Sequence, residues 1–378
     1  MRITIAEKLR PFSHLPGTIF VLPGSSLSLE IFPALIRVKD LRGTLPVLLA
    51  EIALNVEGPV KEFTALQDLE NGRLRVWGKS VAGYFRYVVK AMEDSLGIIL
   101  AIEKTPEMGM MIACSGKWRT GKNVPVHRGE KVVVSENPEA DRVEISFSGS
   151  NERLSLGSHK LQDWESVRRR LSFAEIFPLW HRLGRMVSEP LSNELAGTSL
   201  LLKECRQVID AKAPEKILEQ FRKLFLVGIE DVLSPRLIDT EFQGIKYQGH
   251  DLIVPQESQA SALIILTEGA RLIRSLFIRE GSQTIDILPS LPPEFHCGRF
   301  LELACGKEGS LSMEWTKKSI RCMTFSAIEN QKVAFKFSNH EKGCRLRSSY
   351  KEKGINYLPG SQIDIVAGQH YWFDNFQR

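Results

Sequence analysis

Apolar and polar residues alternate in short runs from about residue 17 to residue 147 of the chain. Alternation with a period of two places successive side chains on opposite faces of a β-strand, and the Gly, Pro, Asn and Asp residues between the runs are typical of turns. Residues 84–89 alternate most clearly, whereas residues 97–102 are apolar throughout, which is typical of a strand buried on both faces. The pattern predicts a large antiparallel β-sandwich.

The period of the apolar residues changes after residue 161. Over residues 163–187 they recur every three to four positions, which predicts an amphipathic helix. Asp163 is a suitable N-cap, and we expect Pro178 to end or kink this helix. Further helices are predicted over residues 192–209, 214–233 and 260–278, with Pro214 opening the second of these and Gly281 as the C-cap of the last.

Strand patterns return from residue 283 to the end of the sequence. The order of elements is therefore β, then α, then β, and we predict an α+β multidomain fold. Its expected parts are an N-terminal β-sandwich (residues 1–160), a helical domain (residues 161–282) and a small C-terminal β-sandwich (residues 283–378).

The segment that leaves the last helix has a distinctive order of residues. Prolines at positions 289, 292 and 293 favour extended backbone, and Gly298, Gly306 and the pair Glu314-Trp315 follow them. Residues 287–315 thereby resemble the segment that joins the helical barrel to the C-terminal β-domain in α/α-barrel glycoside hydrolases and phosphorylases, especially the inverting α-L-fucosidases. Phe295 stands where that family usually has Trp.

This resemblance implies a β-super-sandwich, an α/α barrel and a small β-domain in that order. Six helical hairpins, with helices of about 11–12 residues and their loops, need far more chain than residues 161–282 supply. We therefore expect most of the barrel to be missing. Because the resemblance places the general acid in the barrel, we expect weak or absent hydrolytic activity.

The resemblance also extends to the start of the last helix. When Glu268 is aligned with the final Glu of a fucosidase stretch, Glu257 falls on that family's Asp and Gln259 on its Asn. Glu257 is then a candidate base or an acceptor for sugar hydroxyls, and Gln259 a candidate ligand residue. The alternative for Glu257 is an exposed carboxylate in the first helical turn. For Glu268, within an apolar helix, we expect a structural ion pair with Arg271 or Arg274.

A polar loop over residues 234–259 concentrates side chains that suit sugar hydroxyls. Loops at the mouth of a helical barrel commonly carry ligand groups, although a polar loop is also often merely solvated. Inverting glycoside cleavage needs two carboxyl groups about 6.5–9.5 Å apart. Beside Glu257, the candidate catalytic carboxylates are Asp239, Glu241 and Asp251, and the candidate ligand residues are Tyr247 and His250.

Two tryptophans differ in their sequence surroundings. Trp118 follows a Gly-Lys pair and precedes Arg119, so we expect it to be exposed and able to stack on the apolar face of a sugar. Trp180 lies at helical spacing among Leu179 and Leu183, which predicts a core position.

Composition narrows the remaining possibilities. The 378 residues have a formal charge of only +5, so a dedicated nucleic-acid surface has little support, and residues 168–170 are interpreted as a solvated basic face of a helix. The six cysteines form no C-x-x-C pair, and we expect reduced thiols. The sequence opens without a secretory leader and contains no run of about 18 apolar residues, which predicts a cytoplasmic protein without membrane association.

Cofactor motifs do not appear in the sequence: there is no Gly-rich phosphate loop, no nucleophile elbow and no dinucleotide fingerprint. His250 and Asp251 lack a second His at metal-ligand spacing. We therefore predict no metal and no cofactor. The favoured function is a carbohydrate-active protein of reduced catalytic power, or a sugar-binding or scaffold form. The alternatives are an active inverting hydrolase or phosphorylase, and a non-catalytic protein-interaction module.

Overall fold

The fold was analysed in a computed structural model, which describes residues 3–92, 96–120, 125–138, 151–337, 341–349 and 351–377. Strands dominate it, and the helices are confined to the middle of the chain. In chain order the first strands are β1 (Phe12–Ser13), β2 (Thr18–Val21), β3 (Leu27–Ile31), β4 (Leu35–Asp40), β5 (Val47–Leu54), β6 (Lys61–Asp68), β7 (Arg73–Ser80), β8 (Gly83–Ala91), β9 (Gly97–Lys104), β10 (Ile112–Gly116), β11 (Arg119–Thr120), β12 (Lys131–Ser135) and β13 (Arg153–Ser155).

Strands β1 to β12 form two antiparallel sheets. One has the order β1-β6-β7-β8-β9-β12-β11, and the other has the order β10-β5-β4-β3-β2. Strand β7 buries every second residue from Leu74 to Ser80, because one face of its sheet packs into the core. Strand β9 is buried continuously over its first four residues. The predicted sandwich character and the continuous burial at the start of β9 are confirmed, whereas the alternation predicted over residues 84–89 holds only as far as Tyr87, because Val88 and Val89 are both buried.

The middle of the chain contains five α-helices. They are α1 (Trp164–Arg170), α2 (Phe173–Gly184), α3 (Leu201–Asp210), α4 (Pro214–Gly228) and α5 (Leu263–Ser275), with a 3₁₀ turn at Gly197–Leu200 and two short strands, β14 (Ile229–Glu230) and β15 (Ser234–Pro235). The predicted helices are present, but each is shorter than its sequence pattern.

Three details of the predicted helices are corrected. The helix expected over residues 163–187 is broken at Leu171, whose φ of 47° is left-handed and ends α1. Pro178 neither ends nor separates helices, because it lies inside α2. Gly281 is not a helix C-cap, since α5 ends six residues earlier and the Gly281 N–H donates to the Thr284 carbonyl in a strand turn. Pro214 does open α4, as predicted.

Helices α2 and α5 pack at short range because each carries a glycine at the contact. A Cβ on Gly184 would lie 2.2 Å from the Leu266 carbonyl oxygen, and one on Gly269 would lie 2.7 Å from the Trp180 ring. The Trp180 Nε1–H donates to the Ile265 carbonyl at 3.2 Å. Trp180 is fully buried, which confirms its predicted core position.

The remaining strands form two further sheets at the C-terminal end. They are β16 (Ile278–Glu280), β17 (Thr284–Ile287), β18 (Cys297–Cys305), β19 (Gly309–Thr316), β20 (Ser319–Ala327), β21 (Gln331–Lys336), β22 (Gly343–Arg347), β23 (Ile355–Tyr357), β24 (Gln362–Ile365) and β25 (His370–Gln377). The larger sheet has the order β13-β18-β19-β20-β25-β22-β23, and the smaller has β16-β17-β21-β24.

The residues that carry the family resemblance pack against one another at the entry to the C-terminal sheets. The Trp315 Nε1–H donates to the Phe295 carbonyl at 3.0 Å, and both side chains are buried. A Cβ on Gly298 would lie 2.3 Å from the Trp315 ring, so only glycine leaves room for that indole. Phe277, just after α5, lies 5.4 Å from the same ring. The C-terminal sheets therefore pack on the helices. A docked arrangement is what a short connection stiffened by the prolines at positions 289, 292 and 293 favours.

Strand β13 shows how the parts of the chain interlock. It lies before residue 160, yet it pairs with β18 of the C-terminal sheet through Arg153, Leu154 and Ser155. The domain boundaries after residues 160 and 282 stay predictions.

The close approach of α2 and α5 leads to a stability prediction. Gly184→Ala should lower the free energy of unfolding by about 1–3 kcal/mol, because the added methyl group meets backbone and Ala270 within the core. Denaturant unfolding monitored by circular dichroism measures this change. Gly43→Ala is the matched control, since its Cβ would meet nothing closer than 3.6 Å and should change stability by less than about 0.5 kcal/mol. Equal stability of the two variants would contradict the packing argument.

Candidate functional site

The loop over residues 234–259 lies between the helices and the second N-terminal sheet. The Leu237 carbonyl accepts from Thr198 N–H at 2.9 Å, and the Ile253 carbonyl accepts from Gly197 N–H at 3.1 Å, so two points of the loop are anchored to the 3₁₀ turn. At its far end, the Thr44 hydroxyl donates to the Ser258 carbonyl at 2.6 Å. The loop thus contacts the sandwich at the β4–β5 connection.

Asp239 holds the first turn of this loop together. Its carboxylate accepts from the N–H groups of Glu241 at 3.0 Å and Gln243 at 2.7 Å, and from the Arg236 guanidinium at 3.2 Å. Arg236 is itself buried and donates to the Val227 carbonyl at 2.9 Å. The carboxylate therefore acts as an acceptor within its own turn, which is a structural role.

Glu241 lies at the centre of a group of charged side chains. Its carboxylate is 3.5 Å from Arg168 of α1 and 3.6 Å from Arg236, and its side chain is 41% exposed. Arg168, interpreted from the sequence as part of a solvated face, therefore contacts the predicted site. Arg170 of the same run pairs with Glu175 instead.

The carboxylates of Glu230 and Asp231 lie beside Glu241 and Arg236, and neither was predicted from the sequence. Glu230 follows α4 and its carboxylate is 3.8 Å from Arg236, while Asp231 Oδ2 accepts from the Ile19 N–H at 3.0 Å. Burial raises the pKa of Glu230, and Arg236 offsets part of that rise. Burial also raises the pKa of Asp231 against the opposing Ile19 hydrogen bond.

We call Glu30, Glu230, Asp231 and Glu241 the carboxylate cluster. Glu30 of β3 joins it through its electrostatic interaction with Asp231, and Glu30 is paired with Lys39 at 3.1 Å. The members come from an N-terminal strand, the end of α4 and the polar loop. Only Glu241 stood out in the sequence, because Glu230 and Asp231 lie at the end of a helical pattern that favours no particular chemistry.

Tyr247 and His250 face each other across a tight turn in the exposed part of the loop. Each backbone N–H donates to the other residue's carbonyl, at 2.9 and 2.8 Å, and Gln248 and Gly249 between them have positive φ. Lys203 Nζ lies 5.8 Å from the centre of the Tyr247 ring. Asp251, whose side chain is 71% exposed, pairs with Lys246 at 3.1 Å. Backbone hydrogen bonds hold this hairpin, the side chains of His250 and Asp251 face solvent, and the half-buried Tyr247 ring packs against the core.

Glu257 and Gln259 lie in the turn that precedes α5. Glu257 is exposed, and since α5 begins at Leu263, neither residue occupies the first helical turn expected from the sequence. The Gln259 N–H donates to Glu194 Oε2 at 3.0 Å, and the Ser258 hydroxyl donates to the other oxygen at 2.7 Å. The Ser258 and Gln259 hydrogen bonds lower the pKa of Glu194. Glu194 therefore orders this end of the loop.

The prediction for Trp118 is wrong. Its side chain is only 2% exposed, because its backbone N–H donates to the Leu49 carbonyl at 3.2 Å and brings the indole into the sandwich core. It provides no stacking platform. The prediction for Glu268 is confirmed: its carboxylate pairs with Arg271 and, at 2.8 Å, with Arg206.

Three cavities in the described part of the chain are lined by residues other than Asp239, Glu241, Asp251 and Glu257. The first, of about 380 Å³, lies where α3 and α4 meet the C-terminal strands. The second, of about 210 Å³, lies beside Cys297 and Trp315. The third, of about 630 Å³, is an open groove beside Tyr84 and Met108 of the first sheet.

A buried charge network elsewhere joins all three parts of the chain. Glu152, only 2% exposed, accepts from Arg274 Nε of α5 at 3.2 Å and from the Ala304 N–H of β18 at 3.0 Å, and it lies 3.4 Å from His181 Nε2 of α2. Burial opposes ionisation of Glu152, but His181, Arg274 and Arg185 outweigh it and lower the pKa to about 2. Burial lowers the pKa of His181, which favours the neutral form of the ring beside the Glu152 carboxylate.

Comparison of the sequence with protein-family models gives no match, and comparison with curated proteins gives no significant match. Among the described residues, no helix combines the length and the apolar character needed to cross a bilayer. Within the same part of the chain, no group of three or more His, Cys, Asp or Glu side chains is arranged to hold a metal ion. All six cysteines are free thiols, and four of them are buried.

The buried network predicts a pH dependence of stability. Burial lowers the pKa of His181 in the folded chain below its value of about 6.5 in the unfolded chain, so the unfolded chain binds more protons and stability falls as the pH is lowered through about 6.5. Glu152 adds no slope in this range, because its stabilising contribution is present above about pH 4.5 and is lost only as the pH falls through about 2. His181→Gln should remove up to about 1.4 kcal/mol per pH unit of this slope.

Urea unfolding of both proteins at pH 5, 6 and 7 measures the difference in slope. His250→Gln changes an exposed histidine and should leave the wild-type slope unaltered. The same slope in wild type and His181→Gln would contradict a neutral buried His181.

Proposed function

We propose that this protein binds a carbohydrate at the carboxylate cluster and has lost most of the catalytic capacity of the α/α-barrel glycoside hydrolases that its sequence resembles. One observation carries the proposal. Glu241, a residue chosen from the sequence for carbohydrate chemistry, lies between Arg168 and Arg236 and beside the half-buried Glu230 and Asp231.

Such a group of side chains suits a polyhydroxylated ligand. Carboxylates accept hydrogen bonds from sugar hydroxyls, and guanidinium groups donate to hydroxyl oxygens in fixed directions. The location also agrees with the expectation that a site lies where the loop over residues 234–259 meets the N-terminal sandwich. Strand β3 and the loop each contribute to the cluster, so a ligand there would contact both.

Reduced catalysis is supported by the helices and by the partners of the candidate carboxylates. Five helices, α1 to α5, occupy the described middle of the chain, where a complete barrel of six hairpins has twelve. Asp239 accepts hydrogen bonds from two backbone N–H groups and an arginine, so its carboxylate oxygens are already engaged within their own turn.

Binding is expected to depend on the carboxylate cluster. Glu241→Ala and Glu230→Ala should each weaken binding of a neutral oligosaccharide by about 1.5–3 kcal/mol, the usual effect of removing a charged hydrogen-bond partner. Calorimetric titration of wild type and variants against a panel of mono- and oligosaccharides measures this effect. Asp251→Ala and Glu257→Ala, in the exposed part of the loop, are expected to have smaller effects.

Glu329→Ala is the matched control, because Glu329 is exposed in the turn between β20 and β21. It belongs neither to the carboxylate cluster nor to the loop over residues 234–259. Its binding should equal that of the wild type. Absence of binding to every sugar in the panel would contradict the proposal and would favour the protein-interaction alternative.

A second candidate, an active glycoside hydrolase, is favoured by the raised pKa of Glu230. Burial shifts the pKa of Glu230 in the direction that suits a general acid, and Asp231 or Glu241 could then activate water. We expect turnover of aryl glycosides below about 1 per second. A faster rate that is abolished in Glu230→Gln and unchanged in Glu329→Gln would contradict the binding proposal and would favour hydrolysis as the function.

A further inference from the structure

The cavity of about 380 Å³ lies at a junction that the carboxylate cluster does not touch. Its wall includes the connection between α3 and α4 and the segment that links β17 to β18. This is the Pro-rich segment that stood out in the sequence, so the same residues shape both the entry to the C-terminal sheets and the cavity.

Three lysines from separate parts of the chain line this cavity. Lys212 lies between α3 and α4, Lys318 lies in the β19–β20 turn, and Lys336 ends β21. None of them forms a salt bridge with another residue of the described chain. Three lysines thus line one cavity, and their positive charge favours an anionic ligand.

The end of a helix adds to this positive character. Pro214, the first residue of the fifteen-residue helix α4, also lines the cavity. The N-terminal end of a helix carries a partial positive charge and stabilises anions within about one turn. It supplements the lysines, which carry the argument.

One carboxylate in the cavity restricts the kind of anion. Asp286 lies among the lysines, and its Oδ1 is buried and has no hydrogen-bond partner in the described chain. Asp286 lines the cavity and its carboxylate accepts hydrogen bonds, so a hydroxyl group on a ligand suits this position. With three lysines and one aspartate the side chains sum to a charge of +2, so an anion that also bears hydroxyl groups fits best.

The remaining wall is apolar. Leu288, Leu291 and Phe337 line the cavity, and such side chains suit the C–H face of a polyol or a sugar ring. Leu288 has a φ of +53°, which is uncommon for a branched residue, and its N–H donates to the Phe277 carbonyl at 2.8 Å. The apolar wall is therefore held by the end of α5.

From this arrangement we infer a binding site for a phosphorylated polyol, such as a sugar phosphate. Its phosphate contacts Lys212, Lys318 and Lys336, one of its hydroxyl groups donates to Asp286, and its carbon skeleton lies on the apolar wall. This site goes beyond the proposed function and does not rest on it, because no member of the carboxylate cluster takes part.

Calorimetric titration at low salt with glucose 6-phosphate, inorganic phosphate and glucose tests the site. We expect glucose 6-phosphate to bind more tightly than inorganic phosphate, and glucose not to compete. Each of Lys212→Gln, Lys318→Gln and Lys336→Gln should weaken glucose 6-phosphate binding about two- to five-fold, and the triple variant about ten-fold or more. Lys61→Gln, on β6 of the first sheet, is the matched control and should bind as wild type.

The Asp286→Asn variant distinguishes the contribution of the ligand hydroxyl contact from that of the negative charge on Asp286. Removing the carboxylate should weaken glucose 6-phosphate binding, while inorganic phosphate should bind equally or more tightly because a repulsive charge is gone. Lysine acetylation followed by mass spectrometry gives a second measurement, in which glucose 6-phosphate should protect the three cavity lysines and leave Lys61 reactive.

The possible results of these titrations distinguish the phosphate contacts, the hydroxyl contact and the carboxylate cluster from one another. No binding of either phosphate at millimolar concentration, or wild-type affinity in the triple variant, overturns the site. Equal affinity for the two phosphates together with an unchanged Asp286→Asn variant overturns the hydroxyl contact and leaves a simple phosphate site. Binding of neutral oligosaccharides reports on the carboxylate cluster alone, so failure of one proposal is distinguishable from failure of the other.

Discussion

The buried carboxylate of Glu152 is the constraint on which the assembly of the chain depends. It accepts hydrogen bonds from α5 and from β18 and lies against His181 of α2, so a single ionised group links the helices to the C-terminal sheet. Burying such a charge is expensive unless partners surround it, and removing one partner from a buried pair costs about 3–5 kcal/mol. The helices and the C-terminal sheet are therefore held in one relative position.

Close backbone contacts reinforce that position. Gly184 and Gly269 let α2 and α5 approach within van der Waals contact of backbone and indole, and Gly298 lets the Trp315 ring lie against β18. These are sites where a Cβ atom has no space. The hydrophobic core is continuous across these glycine contacts, since buried residues of the N-terminal sheets, the helices and the C-terminal sheets belong to one cluster. The charge network and the glycine contacts thus stabilise the same interface.

The two proposed ligand sites differ in the way they combine charge. In the carboxylate cluster, four acids lie beside two arginines that offset part of their charge, and burial raises the pKa of Glu230 and Asp231. Such a site favours neutral, hydroxylated ligands. The cavity beside α4 has three lysines against one aspartate and therefore favours anions. The carboxylate cluster and the cavity beside α4 both lie at interfaces between parts of the fold, where side chains from distant segments meet.

The sequence by itself determined the order of strands and helices, because the period of apolar residues depends only on which face of each element is buried. It also determined the core position of Trp180, the start of α4 at Pro214 and the ion pair of Glu268, since each follows from neighbours within a few residues. The burial of Trp118, the break at Leu171 and the meeting of Glu241 with Arg168 of α1 were decided by the tertiary structure. Those outcomes depend on contacts between segments that lie far apart in the chain, and local patterns of residues contain no information about which distant segments meet.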